Sequence, residues 1–81
     1  MLVHVRINGA LAQEIGTTRL QASLEDGMTV SDLLAWLCQQ YPQSATKLNQ
    51  AVPIVAGQHL PQTTVLVAGQ EVALLLPVAG G

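Results

Sequence analysis

The pattern of apolar residues along the chain predicts three β-strands. They cover residues 2–7, 18–24 and 71–76. In the first two stretches the apolar residues fall mainly on one side, which is typical of a strand with one buried face and one exposed face. The third stretch is an apolar run in which Val72, Leu74 and Leu76 face one way and Ala73 and Leu75 the other. A long loop joins the first two strands, so we expect them to pair as a hairpin. Within this loop, Ala10–Ile15 is expected to form a short helical turn that ends at Gly16.

A different period predicts one helix, from Val30 to about Gln39 or Gln40. Apolar residues recur there at the i, i+3, i+4 and i+7 positions of a single stripe. Thr29 is predicted to cap the helix, and Asp32 is placed to complete a capping box three residues later. Pro42 is expected to end the helix. The stripe consists of Val30, Leu33, Leu34, Leu37 and Tyr41.

The pattern is weaker between this helix and the last strand. Residues 43–50 are mainly polar, and we expect at most one short turn around Ala45–Leu48. Ala51–Ala56 is predicted as a further strand. Pro53 places that strand at a sheet edge, because proline has no N–H to donate to a ladder. In the connection that follows, Val65–Val67 is expected to be anchored in the core.

The order of the predicted elements is strand, strand, helix, strand, loop, strand. This order indicates an α+β fold in which one main helix packs on a mixed sheet of four to five strands. The first and last strands are the most apolar, so we expect them to be central neighbours, and the long connection between them permits parallel pairing. The order is that of a β-grasp, or ubiquitin-like, fold. We expect residues 1–76 to form the β-grasp domain and residues 77–81 to form an extended C-terminal tail.

Composition excludes several classes of function. The 81 residues are 49% hydrophobic and 10% charged, which excludes disorder over most of the length. Only three residues are Lys or Arg, so we expect no direct nucleic-acid partner. No apolar run is long enough to span a membrane, the N-terminal residues do not resemble a signal peptide, and the chain contains one cysteine. We therefore expect a cytoplasmic protein without a membrane partner.

The chemistry-bearing side chains form no recognisable catalytic or metal-binding motif. His4 and His59 do not have the spacing of metal ligands, and we interpret both as surface or partner-facing residues. Cys38 has no basic neighbour in the sequence, and we interpret it as a small residue at the edge of the helix stripe. Phosphate-binding loops, nucleophile elbows and paired catalytic carboxylates are absent from the sequence. We expect no autonomous enzyme and no metal site.

The end of the chain is its most informative stretch. An apolar strand is followed by Pro77, and then by Val78, Ala79, Gly80 and Gly81. Proline fixes φ and stiffens the exit from the sheet. At ~3.3–3.6 Å per extended residue, the four residues after the proline reach roughly 13–14 Å. We therefore hypothesise that this tail is the functional part and that the rest of the chain is a compact base that presents it.

Residues 69–81, Gly-Gln-Glu-Val-Ala-Leu-Leu-Leu-Pro-Val-Ala-Gly-Gly, resemble the end of the MoaD/ThiS family of ubiquitin-like sulfur carriers. That family ends roughly in Gly-Asp-Glu-Val, a few apolar residues, one or two prolines, Val, a small residue and Gly-Gly. The resemblance covers the rest of the chain more weakly, and the long loop after the first strand is most like MoaD, the small subunit of molybdopterin synthase. The departures are Gln70 for the usual Asp, Leu76 for the usual first proline, and Ala56-Gly57 where an Asn is common.

The resemblance implies that Gly81 is the reacting group rather than a catalyst. An ATP-dependent, MoeB-like enzyme would adenylate its carboxylate, and a sulfur donor would convert the acyl-adenylate to a thiocarboxylate. The carrier would then deliver the sulfur to the molybdopterin precursor in a MoaE-like large subunit, within a heterotetramer. ATP is consumed by the activating partner, so the resemblance implies no catalytic residue and no bound cofactor in this chain.

Three alternatives remain open. The first keeps the carrier chemistry and changes the acceptor to thiamine thiazole synthesis, tRNA thiolation or a cysteine-forming route. The second is a ubiquitin-like modifier whose Gly81 is conjugated to lysines. The third is a β-grasp interaction domain with a chemically inert tail.

A partner must also be held while the tail reacts. The alternation of side chains along the strands predicts which residues contact that partner. Leu75 is expected to point away from the helix, beside Ala73 and, from the first strand, His4 and Arg6. These residues form the predicted partner interface. Leu75 is its candidate anchor, because interfaces concentrate binding energy in a few buried residues. The alternative is that Leu75 is an ordinary exposed apolar residue.

Overall fold

The computed structural model of the chain describes residues 1–77. Within them, the strands are β1 (Leu2–Ile7), β2 (Arg19–Ser23), β3 (Val52–Val55), β4 (Gln58–His59) and β5 (Glu71–Leu75). The α-helices are α1 (Gly9–Ile15), α2 (Val30–Gln40) and α3 (Ala45–Gln50), and a short 3-10 helix, Pro42–Ser44, precedes α3. No helix of the described residues is long and apolar enough to cross a membrane.

The strands form one five-stranded mixed sheet in the order β2-β1-β5-β3-β4. β1 pairs antiparallel with β2 and parallel with β5. On the other side, β5 pairs antiparallel with β3, which pairs antiparallel with β4. The predicted parallel contact between the first and last strands is therefore confirmed, and the fold is a β-grasp.

One face of the sheet and the stripe of α2 form a common core. Val3, Val5 and Ile7 of β1 are buried, and their neighbours along the strand are not. Val72 and Leu74 of β5 enter the same cluster. The residues that α2 contributes to it are Val30, Leu33, Leu34 and Leu37. We call this side of the sheet the inner face and the opposite side the outer face.

Local signals set the ends of the helices as predicted. The Asp32 N–H donates to the Thr29 hydroxyl oxygen at 3.3 Å, and the Thr29 N–H donates to Asp32 Oδ2 at 2.9 Å, which completes the capping box. The helix ends at Gln40, two residues before Pro42. Gly16 ends α1 at φ 97, a left-handed conformation that glycine adopts without a steric penalty.

The prediction for Pro53 is wrong, because β3 lies between β5 and β4 and is not an edge strand. Pro53 is opposite Leu74 of β5, and its carbonyl accepts a hydrogen bond from the Leu60 N–H at 3.0 Å. The N–H and C=O of one strand residue point to the same side. The N–H that proline lacks would therefore face Leu60, the residue just after the two-residue β4. The edge of the sheet is one strand further out than expected.

The expectation for residues 43–50 is also wrong, since more of them are helical than predicted. They continue the 3-10 helix and form α3. Leu48 is completely buried and supplies the one apolar anchor that this polar stretch needs. Lys47 Nζ lies 2.8 Å from Glu14 Oε2, and the hydroxyl of the buried Ser44 donates to Glu14 Oε1 at 2.6 Å. These contacts tie α3 to α1.

Two smaller expectations fail at the ends of apolar runs. Of Val65–Val67, only Leu66 is anchored in the core, with 3% of its surface exposed, whereas the flanking valines are 54% and 63% exposed. Successive residues of an extended segment point to opposite sides, so a single side chain can enter the core there. The last strand ends at Leu75 rather than Leu76.

Candidate functional site

The predicted tail leaves the protein from the middle of the sheet. β5 has a paired strand on each side, β1 and β3, so its position is fixed laterally. Leu76 after the strand is half-buried, and Pro77 is exposed. The remaining predicted tail residues lie outside the described part of the chain. These are Val78, Ala79, Gly80 and Gly81.

The outer face brings together the residues predicted as a partner interface. The pairing of β1 with β5 places Arg6 beside Ala73 and His4 beside Glu71. Leu75 follows at the end of β5 and is 41% exposed. His4 and Ala73 are half-buried, and Arg6 is exposed. The structure thus places all of the predicted interface residues on one surface next to the root of the tail, while their role in binding stays a prediction.

β3 extends this surface with apolar residues that the sequence interpretation missed. Val52 lies opposite Leu75, and Ile54 lies opposite Ala73, so these side chains share the outer face. Both β3 residues are half-buried. We call Val52, Ile54, Ala73 and Leu75 the apolar strip. The alternation around Pro53 could have identified the β3 residues, because a buried proline between them places both on the opposite face.

The outer face also contains an exposed ion pair. Arg6 Nη1 of β1 lies 3.3 Å from Glu71 Oε1 of β5. More than half of each side chain is exposed, so the pair contributes about 0–1 kcal/mol to stability. Both charged groups remain accessible to a docking partner.

A groove of about 710 Å³ lies at the root of the tail, between the first residues of α1 and the later residues of α3. Its walls include Ala10, Lys47, Leu76 and Pro77. Leu75 points to the outer face and Leu76 lines the groove, as expected for successive residues of an extended chain. The tail therefore starts between two surfaces, the apolar strip and this groove.

The model of the ThiS family matches residues 5–81, which is nearly the whole chain. This protein belongs to the ThiS family. The resemblance to MoaD/ThiS proteins that the C-terminal residues indicated is thereby confirmed, and with it the general kind of function, that of a ubiquitin-like sulfur-carrier protein. No match to a curated protein was found.

Solved structures similar to this ThiS-family protein share its fold at low sequence identity. SAMP1 from Haloferax volcanii is 21% identical with a TM-score of 0.88, and each chain is covered completely. A protein from Pyrococcus furiosus assigned as molybdopterin converting factor subunit 1 is 19% identical with a TM-score of 0.85, covering 96% of this chain and 99% of that one. The complex of subunits 1 and 2 of molybdopterin-converting factor from Helicobacter pylori contains a chain that is 23% identical with a TM-score of 0.69, again with complete coverage of both.

Two departures of this ThiS-family protein from the usual pattern fall in turns that the structure describes. Gln70 Oε1 accepts a hydrogen bond from the Val67 N–H at 3.0 Å, so this glutamine closes the turn before β5 with a side-chain acceptor. Ala56 has φ 50 and Gly57 has φ 80 in the turn between β3 and β4. Asn tolerates the left-handed conformation better than alanine does. Ala56 is therefore a strained substitute for the asparagine that is common there.

Three candidate side chains of the ThiS-family protein lie on separate elements, with Cys38 on α2, His4 on β1 and His59 on β4. Cys38 Sγ lies 3.7 Å from Asn49 Oδ1 and 3.9 Å from the Ala45 carbonyl oxygen. Burial raises the pKa of the Cys38 thiol, which favours the unreactive protonated form. His59 is exposed on β4, and His4 lies across the sheet on β1. Among residues 1–77, no three His, Cys, Asp or Glu side chains are grouped to hold a metal ion.

Proposed function

We propose that this protein is the sulfur-carrier subunit of a molybdopterin synthase. The terminal carboxylate of Gly81 is adenylated by an ATP-dependent, MoeB-like enzyme, with release of pyrophosphate. A sulfur donor then displaces AMP and leaves a thiocarboxylate on Gly81. The carrier docks on a MoaE-like large subunit, in a heterotetramer, and donates the sulfur to the molybdopterin precursor.

The observation that carries this proposal is the family match, which extends through the Gly-Gly end to residue 81. The structural similarity to subunits of molybdopterin-converting factor, including one in a complex of subunits 1 and 2, supports the choice of a large-subunit partner. The choice of acceptor rests on this similarity and on the resemblance of the tail to MoaD.

In this proposal the chain supplies position and the partners supply catalysis. Docking on the outer face buries Leu75, with Ala73, Arg6 and His4 around it, and Pro77 directs the tail into the partner's active site. Because β5 is paired on both sides, the tail starts at a fixed distance from the docked surface. ATP is bound by the activating enzyme, and this chain needs no cofactor of its own.

Mass spectrometry of the intact protein tests the carrier chemistry. The purified chain is incubated with an activating enzyme, ATP and a sulfur donor, and reactions without ATP are the control. We expect the mass to rise by the difference between one sulfur and one oxygen atom. Recovery of only the unmodified mass would contradict every sulfur-carrier assignment, whatever the acceptor.

Copurification then separates the acceptors. Recovery of a large synthase subunit with the tagged chain, together with conversion of the precursor by that complex, supports molybdopterin synthesis. Recovery of a thiazole-forming, tRNA-thiolating or cysteine-forming enzyme instead would assign a different acceptor. A ladder of larger covalent adducts, with Gly81 joined to lysines of other proteins, would assign the modifier function.

Deletion of Gly81 is expected to abolish thiocarboxylate formation completely, since the shortened chain ends in a different position relative to the activating enzyme. The core consists of residues from Val3 to Leu74, so thermal unfolding should not change. Substitution of Gln39 by Ala, on the exposed side of α2, is the control, and it should leave the sulfur transfer intact. A deletion variant that still gains sulfur would refute the role of Gly81.

A further inference from the structure

Two arginines face each other on the outer face, beside the apolar strip. Arg6 of β1 lies directly opposite Arg19 of β2 in the antiparallel ladder, so both side chains are on the same side of the sheet. They are two of only three Lys or Arg residues in the sequence. Like charges in directly opposed positions destabilise a sheet. The sheet therefore contains a pair of like charges at positions where a pair of uncharged residues would be more stable.

The neighbouring acidic residue compensates only one of these charges. Glu71 approaches Arg6 from β5 at 3.3 Å. Within residues 1–77, no carboxylate lies within ion-pair distance of Arg19. The hydrogen bonds between Thr17 and this residue involve only the Arg19 backbone. The positive charge of Arg19 is thus uncompensated on the outer face, although the net charge of the chain is −2.

The arginine pair lines a concave surface rather than a flat one. A depression of about 450 Å³ is bordered by His4, Arg6, Arg19, Gln21 and Glu71. The guanidinium groups and the Gln21 amide offer several N–H donors around one space. An arginine can bind a carboxylate through two parallel hydrogen bonds, and two arginines around one space provide more donors than one carboxylate can use.

This depression is continuous with the proposed docking surface. Arg6 lies beside Ala73 of the apolar strip. Adjacent strands are about 4.8 Å apart, so Arg19, two strands away from Ala73, is roughly 10 Å from it along the sheet. A protein that covers Leu75 and Ala73 also reaches the arginine pair, because a standard interface is wider than this distance.

We propose that Arg6 and Arg19 form a binding site for an Asp or Glu side chain of the protein that docks on the outer face. The acidic side chain supplies the charge that Arg19 lacks and relieves the repulsion between the arginines. This inference rests on the proposed function in one respect, since it assumes that the partner docks on the outer face. The ligand of the site is a carboxylate of a protein and not a phosphate group of a nucleic acid.

The test uses NMR spectra of the complete, isotope-labelled protein titrated with hexaglutamate at low salt. We expect the largest shifts at the amides of β1 and β2 and at the arginine Nε–H groups. Arg19→Gln is expected to weaken binding by about threefold to tenfold. Ala35→Glu is the matched control, because it changes the net charge by the same amount on the exposed side of α2, across the core from the outer face, and should change binding by less than about twofold.

Three results would overturn the carboxylate site. Equal losses in the two variants would show that only net charge matters. Shifts centred away from β1 and β2 would place the binding elsewhere. Tighter binding of inorganic phosphate or of a single-stranded oligonucleotide would assign the site to phosphate. Spectra of the free variants check that each is folded.

A second measurement, with the large synthase subunit, keeps this inference separate from the proposed function. Arg19→Gln is expected to slow association more than Ala35→Glu, which changes the net charge by the same amount, and to flatten its dependence on salt. Equal association rates for the two variants would contradict the role of the arginine pair in docking. Failure of wild type to bind the large subunit would refute the proposed partner, while the peptide titration would still decide whether the carboxylate site exists.

Discussion

The inner and outer faces of the central strands differ in what their side chains do. On β5, Leu74 points into the core and is 1% exposed, whereas the next residue, Leu75, is 41% exposed on the outer face. On β1, Val5 is buried under α2, whereas the next residue, Arg6, is exposed. Adjacent residues of one strand thus serve separate purposes. The inner residues hold the fold together, and the outer ones leave a surface available for a partner.

This difference implies that stability and binding can be changed independently. The free energy of unfolding depends on burial in the core, and the outer residues contribute little to it. Binding in turn depends on surface that the isolated chain leaves exposed. Substitutions of neighbouring residues can therefore test each property with the other as control.

The largest expected effect is on the inner face. Leu74→Ala removes a buried leucine and should lower the free energy of unfolding by about 2–5 kcal/mol. Leu75→Ala, at the next position, should lower it by less than about 1 kcal/mol, since the side chain is already partly in water. Urea denaturation of both variants measures the difference. Equal losses would mean that the two faces do not differ in the way described.

The next largest effect is on binding, for which we expect Leu75 to matter more than Leu74. Leu75→Asp places a charge in the apolar strip and should weaken binding of the large subunit by at least about tenfold, as for an interface anchor. Its thermal unfolding should stay close to that of wild type. Titration calorimetry measures the affinity. An affinity equal to that of wild type would remove Leu75 from the interface and leave it an ordinary exposed residue.

A smaller effect, in the opposite direction, is expected in the turn between β3 and β4. Ala56 adopts φ 50, and Ala56→Asn should raise the free energy of unfolding by about 0.5–1 kcal/mol, because asparagine tolerates this conformation better. Binding through the apolar strip should not change. Ala35→Asn, on the exposed side of α2, is the control and should be destabilising, since asparagine is a weaker helix former than alanine. A loss of stability in Ala56→Asn would contradict the strain at this position.

The smallest effect is a pH dependence on the helical side. Hydrogen bonds from Lys47 and then Ser44 hold the pKa of the Glu14 carboxyl below its ordinary value of 4.5. A carboxyl with a lowered pKa stabilises the fold above its unfolded pKa and loses this contribution as the pH falls through its folded pKa. Wild type should therefore lose slightly more stability than Glu14→Gln below about pH 4.5. Thermal unfolding across this range measures the difference.

Glu25→Gln is the control for this pH dependence. Glu25 makes no ion pair within the described residues, so its variant should follow wild type on acidification. If Glu14→Gln and Glu25→Gln behave alike, the contacts that join α1 to α3 do not contribute to acid sensitivity.

The parts of the fold that were predicted correctly are those specified by local sequence. The alternation in Leu2–Ile7 and the stripe in Val30–Gln40 each extend over enough residues to fix both the type of element and its buried face. The capping box needs only Thr29 and Asp32, which are close in sequence. For the same reason the exposed position of Leu75 followed from the alternation in β5 alone.

The errors concern contacts that are distant in sequence or that depend on one side chain. The place of β3 in the sheet is set by β4 and β5, and nothing near Pro53 in the sequence reveals that β3 has a strand on each side. Leu48 is a single apolar residue in a polar stretch, too little to indicate a helix by periodicity. The opposition of Arg6 and Arg19 depends on the register of the hairpin across α1, which the sequence does not fix.

The central place of β5 also determines how the protein responds to a pulling force. β1 and β5 run parallel, and β3 supports β5 on its other side. A pull on the chain beyond Pro77, against an anchor at the start of β1, is directed along the strands and loads their hydrogen bonds together in shear. An edge hairpin would instead be unzipped one bond at a time. We therefore expect the β-grasp to resist a pull on its tail when the start of β1 is held.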